Sequence, residues 1–145
     1  MEENTLIHRL LDVFEYKSEY QHQTSNIQPQ DMYVLERIYI NKKMVVKDIS
    51  KQYNIPPSTL TGIIDRLEKK EFIERLRTNI DRRAIELVTT AKGKEIVEQH
   101  ISEDKAFSSN FFNALQPEKK EKFKELLEEL LININKEALF TTTNQ

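Results

Sequence analysis

Residues 56–93 read PPSTLTGIIDRLEKKEFIERLRTNIDRRAIELVTTAKG, and their first half repeats apolar residues at helical spacing. The repeating residues are Leu60, Ile63, Ile64 and Leu67. They follow the i, i+3, i+4, i+7 pattern of one buried helical face, which predicts a helix over residues 57–70. The opposite face is small, hydroxylated or charged: Ser58, Thr61, Gly62, Asp65 and Lys69, flanked by Thr59 and Arg66. Such a face makes a poor core but suits contact with a groove.

The second half of this stretch predicts a β-hairpin. Residues 72–77 and 83–90 are rich in Ile, Leu, Val and Thr, and they are separated by TNIDR. Ile85 and Leu87 can point inward. Arginines crowd the outer strands and the tip: Arg75, Arg77, Arg82 and Arg83. Pairing with Asp81, Glu74 and Glu86 would explain them poorly, because exposed ion pairs contribute only about 0 to 1 kcal/mol each.

Helical patterns continue on both sides of this stretch. They predict helices over residues 5–22, 31–40 and 46–53, and a long helix to residue 113 with Thr90 as its N-cap. A last helix opens at Gln116-Pro117-Glu118 and carries a wide apolar stripe. We expect a second copy of the chain to cover that stripe, the alternative being that these helices fold back on the core.

Two short helices, a tight turn, a helix with a polar outer face and a basic hairpin together form a winged helix-turn-helix. The predicted fold is therefore mainly α with a small β-hairpin wing, plus a helical dimerisation arm. We expect residues 28–93 to form the DNA-binding region. Residues 1–27 and 94–145 are expected to form the dimerisation region of the same intertwined domain.

Charge is segregated along the chain despite a net charge of -2. Residues 42–94 hold 13 Lys/Arg against 7 Asp/Glu, whereas residues 1–41 hold 3 against 7 and residues 95–145 hold 6 against 10. A basic middle between acidic flanks is expected if only the middle meets a polyanion.

Composition excludes several other kinds of site. The chain has no cysteine, so disulfides and thiolate chemistry are absent, and its two glycines cannot build a phosphate-binding loop. His8, His22 and His100 lack the close partners of a metal site. We therefore predict no catalytic residue, cofactor or metal. An acidic N-terminus and the lack of a long apolar window predict a cytoplasmic protein without a membrane span.

The shape of the predicted elements suggests how they would bind DNA. The major groove of B-DNA admits one α-helix, and small or hydroxylated residues let its backbone come close. The wing can then place an arginine in the minor groove, where the negative potential is strongest. Lysines in or near this region are expected to hold flanking phosphates: Lys42, Lys43, Lys47, Lys51 and Lys69.

Residues 56–93 closely resemble the multiple antibiotic resistance regulator (MarR) family, and the similarity extends over nearly the whole chain. The carriers of the resemblance are Leu67-Glu68-Lys69-Lys70, Phe72-Ile73-Glu74-Arg75, Asp81-Arg82-Arg83, and Val88-Thr89 followed by Gly93. The resemblance implies a homodimer that binds near-palindromic DNA operators, most often as a repressor. It also implies release by a small aromatic or phenolic effector, for which several aromatic residues are available: Tyr16, Tyr20, Tyr33, Tyr39, Phe107 and Phe111.

The resemblance also implies which residues touch DNA. Those expected in the major groove are Ser58, Thr59, Thr61, Gly62 and Arg66, and Pro57 at the start of the same helix is also expected to bind DNA. Arg83 would enter the minor groove and Asp81 would brace the arginines of the wing. Arg77, Asn79 and Arg82 would lie near the DNA backbone.

One residue departs from the family pattern. Glu71 stands where the family usually has Gly, at a position expected to need a left-handed C-cap conformation at a cost on the order of 1 kcal/mol. The other function left open is a winged-helix adaptor module, whose basic face would bind an acidic protein. Binding to duplex DNA that depends on salt and on sequence separates the regulator from the adaptor.

Overall fold

The computed structural model describes residues 1–77 and 84–142. Its helices are α1 (Glu3–Ser25), α2 (Pro29–Ile40), α3 (Val46–Gln52), α4 (Pro57–Lys69), α5 (Ala91–Asn113) and α6 (Pro117–Asn133), with a short 3-10 turn at Lys136–Ala138. Its strands are β1 (Lys43–Val45), β2 (Ile73–Arg77) and β3 (Ile85–Thr89). The predicted class, mainly α with a small antiparallel wing, is confirmed.

The wing has one more strand than the predicted hairpin. β3 is central, with β2 on one side and β1 on the other, all antiparallel. In the register Met44 lies opposite Leu87, and Arg77 lies opposite Ile85. The prediction of two strands was incomplete because a run of only three residues carries no alternation that sequence reasoning could use.

The core of the winged region forms under α4 as its pattern predicts. Leu60 and Ile63 are fully buried, and Ile64 and Leu67 are nearly so. They pack with apolar residues of α2, the sheet and the start of α5, including Val34, Leu35, Ile38, Leu87 and Val97. This packing fixes which face of α4 is left for solvent.

The end of α4 has the left-handed residue that the sequence predicts. Glu71 has φ 64°, and its N–H donates to the carbonyl of Glu68 at 2.9 Å. The N–H of Phe72 donates to the carbonyl of Leu67 at 3.0 Å, which completes a Schellman motif. A non-glycine residue therefore occupies a conformation that glycine adopts without steric cost.

The start of α5 is capped as expected. The hydroxyl of Thr90 accepts a hydrogen bond from the N–H of Gly93 at 3.0 Å and donates one to the carbonyl of Glu71 at 2.6 Å. One side chain thus satisfies a helix N-terminus and the turn that ends α4.

The chain divides into two compact units, residues 1–104 and 105–145. The first holds the winged region with α1 and the start of α5. In the second, aromatic rings of α5 and α6 contact one another, with Phe112 and Phe123 centroids 6.0 Å apart. Among the described residues, no helix combines the length and apolarity that crossing a membrane requires.

Candidate nucleic-acid interface

The polar face of α4 is open to solvent. Ser58, Thr59 and Thr61 are exposed and Gly62 is partly exposed, while Pro57 occupies the first helical turn. The hydroxyl of Thr61 donates to the carbonyl of Pro57 at 2.9 Å, and its oxygen can still accept a hydrogen bond. Because these side chains are small, another backbone or a base edge can approach this end of the helix closely.

Arg66 lies on the same face, but its guanidinium already donates hydrogen bonds within the protein. Its Nε and Nη2 donate to the two carboxylate oxygens of Asp31, each at 2.9 Å. This hydrogen bond raises the pKa of Arg66 above its ordinary value, so the guanidinium stays charged. Sequence reasoning did not find Asp31, because an acidic residue in the first turn of a helix is ordinary.

Arg75 of β2 is bound to two carboxylates of α4. It donates to Glu68 at 2.9 Å and to Asp65 at 2.6 Å. Its partners are therefore not Glu74 or Glu86, the acids considered in the alternative in which the wing arginines only form ion pairs. This arrangement ties the wing strand to α4 and places a cation beside two carboxylates that would otherwise repel a phosphate.

A groove of about 800 Å³ runs between α3, α4 and the wing strands. Its walls include the apolar side chains of Val46 and Ile85. Three cations line it as well: Lys47, Lys51 and Arg75. Cations at the edge of an apolar groove beside the polar face of α4 attract phosphate.

The remaining expected cations are distributed around the winged region. Lys42, with φ 66°, and Lys69 are exposed, and Lys43 lies 3.8 Å from Glu86. Arg77 is exposed at the end of β2. The other residues expected at the wing tip, namely Asn79, Asp81, Arg82 and Arg83, lie outside the described residues.

The aromatic residues expected to serve an effector have different surroundings. Tyr33 meets Tyr53 edge to face at 6.0 Å and lies under the guanidinium of Arg37 at 4.4 Å. The hydroxyl of Tyr39 donates to Glu98 at 3.0 Å, and this bond raises the pKa of Tyr39. Tyr16 and Tyr20 are exposed on α1. In the second unit Phe107 and Phe111 stack with centroids 6.0 Å apart.

His22 and His100 each contact other groups of the chain. His22 Nδ1 lies 2.9 Å from the carbonyl oxygen of Ile27. His100 Nε2 lies 3.4 Å from Asp104 and 4.0 Å from Glu36. Within residues 1–77 and 84–142, no group of three His, Asp or Glu side chains has the arrangement needed for a metal ion.

Comparison with known proteins places this geometry among DNA-binding regulators. A model of the MarR family matches residues 27–85. The chain is 32% identical over 98 residues to YwhA, an uncharacterized HTH-type transcriptional regulator of Bacillus subtilis, covering 68% of this chain and 70% of YwhA. It is 29% identical over 92 residues to the HTH-type transcriptional repressor MdtR of the same organism, covering 63% of this chain and 59% of MdtR.

The chain also has the fold of a protein whose structure was solved in complex with DNA. The S. aureus MepR structure in complex with DNA superposes with a TM-score of 0.79 at 20% identity, covering 91% of this chain and 99% of MepR. The two chains therefore share a fold.

Proposed function

Because this chain belongs to the MarR family of DNA-binding winged helix-turn-helix transcription regulators, which are not enzymes, we propose that it is a cytoplasmic repressor acting on a palindromic operator. The exposed polar face of α4 beside a cation-lined groove carries this proposal. MdtR, a relative, is itself named a repressor, and the fold-related MepR was solved on DNA.

In this proposal the start of α4 enters the major groove. Pro57, Ser58, Thr59, Thr61 and Gly62 face the base edges, since bulky side chains there would keep the helix out. The wing reaches the neighbouring minor groove with Arg83, while Asp81 holds the arginines of the wing. Arg77, Asn79 and Arg82 lie along the phosphates, and the lysines of the groove add further phosphate contacts.

The repressor is a homodimer whose interface comes from residues 1–27 and 94–145. Exposed apolar side chains on both helical segments support this. On α1 they include Leu6, Ile7, Leu10 and Leu11; on α6 they include Leu126, Leu130 and Leu131. Apolar side chains exposed at helical spacing on each of these helices are costly to leave in water and mark an interaction site. A twofold pair would set its reading helices roughly 34 Å apart, one turn of DNA.

A small aromatic or phenolic effector would release the repressor from DNA. Tyr16 and Tyr20, exposed on α1, support this part of the proposal. An effector can release the protein from DNA only if it binds the DNA-binding conformation less tightly than another conformation of the protein.

The decisive experiment measures DNA binding as a function of salt and sequence. The wild-type chain is used to select duplexes from a random library, and affinity for the enriched duplex is then measured over a salt series. We expect a palindrome whose half-site centres are about 10 base pairs apart, with affinity falling steeply as salt rises.

Two variants, each lacking one cation, test which part of the chain binds DNA. Arg83→Ala should cost more than roughly 1 kcal/mol of specific binding. Lys122→Ala removes an exposed cation of α6 that is not among the residues proposed to touch DNA, and it should cost much less. Equal and feeble binding of every duplex would instead favour the adaptor function, in which the basic face binds an acidic protein.

A further inference from the structure

Asp31 is the one buried charged residue among those that the structure describes. Its side chain is only 4% exposed, and both of its oxygens accept hydrogen bonds from Arg66. Burying a carboxylate is costly unless it is paired and hydrogen-bonded. The pair therefore fixes Arg66 in place, even though half of the arginine side chain remains exposed.

The geometry of the pair limits what Arg66 can do on DNA. Arginine reads guanine with two parallel N–H groups, and Asp31 already occupies the edge formed by Nε and Nη2. Reading a base through that edge would leave a buried carboxylate without its partner, which is unfavourable. Arg66 is thus poorly suited to read bases with this edge, although it lies on the exposed face of α4.

A second contact joins α4 to the same region of the chain. Lys70, four residues after Arg66, donates its Nζ to the carbonyl of Asn26 at 2.6 Å. Asn26 ends α1 in a left-handed conformation, and Asp31 lies in the first turn of α2. Arg66 of α4 and its C-cap residue Lys70 therefore bind the start of α2 and the end of α1, and we call this pair of contacts the α4 clamp.

We propose that Arg66 is a positioning residue that acts through Asp31: the α4 clamp sets the angle and height of the reading helix relative to the α1–α2 connection. The inference rests on the proposed function, because it assigns a role within the same DNA-binding surface. Since α1 belongs to the proposed dimer interface, the α4 clamp links that interface to the reading helix of each subunit. The distance between the two reading helices therefore follows from the way the two subunits pack. The preferred distance between DNA half-sites thus depends on Asp31, a residue too buried to touch DNA.

The test measures spacing preference as well as affinity. The duplex that the wild-type chain selects from a random library is remade with one base pair added or removed at its centre, and also with single base changes in each half-site. Binding of the full-length dimer is compared for wild type, Asp31→Asn, Arg66→Lys and Arg66→Ala. Glu74→Gln is the matched control, because it removes the same charge from an exposed position on β2, outside the segments of the proposed dimer interface and the residues proposed to touch DNA.

Removing a carboxylate favours DNA binding on electrostatic grounds, so the control should bind as well as wild type or slightly better. We expect Asp31→Asn to bind the selected duplex roughly tenfold more weakly, the scale of one lost base contact, and to tolerate altered spacing. Arg66→Lys and Arg66→Ala should share this tolerance while keeping the preference at every base.

A different pattern would overturn the inference. If Arg66→Ala loses discrimination at one base pair in each half-site while Asp31→Asn binds like Glu74→Gln, Arg66 reads DNA directly. Should Asp31→Asn fail to fold by circular dichroism, the spacing and base profiles of Arg66→Lys decide the question. Failure of the wild-type chain to enrich any duplex would instead contradict the proposed function itself.

Discussion

A Cβ atom added to Gly93 would lie 2.1 Å from the carbonyl oxygen of Phe72. That carbonyl cannot easily move, because it accepts the N–H of Thr90 at 3.0 Å. The first turn of α5 therefore packs directly on the backbone that follows α4. Gly93 is required here for close approach, although its helical position would otherwise favour alanine.

Gly93→Ala should destabilise the protein despite the higher helix propensity of alanine. The added methyl group must push apart α5 and the turn after α4, so we expect the free energy of unfolding to fall by about 1 to 3 kcal/mol. Urea denaturation followed by circular dichroism measures this. Lys94→Ala, at the next and exposed position, is the control and should change little. Equal stability of the two variants would show that the turn after α4 moves to accommodate the methyl group without lowering the free energy of unfolding.

Glu71→Gly should stabilise the protein. Glu71 is exposed and left-handed, with φ 64°, so glycine relieves steric cost without removing buried contacts. The gain should be about 0.5 to 1 kcal/mol after allowing for the greater entropy of the unfolded glycine chain. Lys69→Gly, two residues earlier and still within the last turn of α4, should instead cost up to about 1 kcal/mol. Thermal unfolding of the two variants should shift in opposite directions.

Gly62→Ala should separate stability from DNA binding. A Cβ at this position meets only the Nη1 of Arg66, at 3.4 Å, which is ordinary contact. The helix should gain up to about 1 kcal/mol from alanine propensity. Binding to the selected duplex should weaken, because the methyl group protrudes from the face that approaches the groove. Unchanged affinity in a stabilised variant would place Gly62 outside the interface.

Asp104 should make stability depend on acid pH. Burial by itself would raise the pKa of this carboxyl, but hydrogen bonds from Lys17 and Gln21 and the nearby charges of His100 and Lys17 outweigh it, so the pKa is lowered from 3.8. A carboxyl with a lowered pKa in the folded state stabilises the protein above its unfolded pKa, and that stability is lost as pH falls through the folded value.

Stability measured by urea unfolding between neutral pH and pH 3 should therefore drop less steeply for Asp104→Asn than for wild type. The substitution should also lower stability at neutral pH, where the contact with Lys17 at 2.7 Å is fully formed. Glu95→Gln, exposed on the same helix, is the control and should follow the wild-type curve. Parallel curves for all three proteins would show that Asp104 contributes nothing to the acid transition.

The sequence by itself determined the elements of the winged region and the exposed face of α4. Leu60, Ile63, Ile64 and Leu67 are buried as their spacing predicts, and the left-handed conformation of Glu71 and the cap at Thr90 were both predicted. These features are local, because helical periodicity, caps and turn conformations are set by residues a few positions apart.

Only the tertiary structure decided which distant residues meet. β1 exists because Lys43–Val45 lies beside β3, and Arg66 is held because it reaches Asp31, 35 positions away. Gly93 is needed only because the carbonyl of Phe72 is packed against α5. No local pattern encodes such pairs, since each depends on how the buried faces of separate elements fit together in three dimensions.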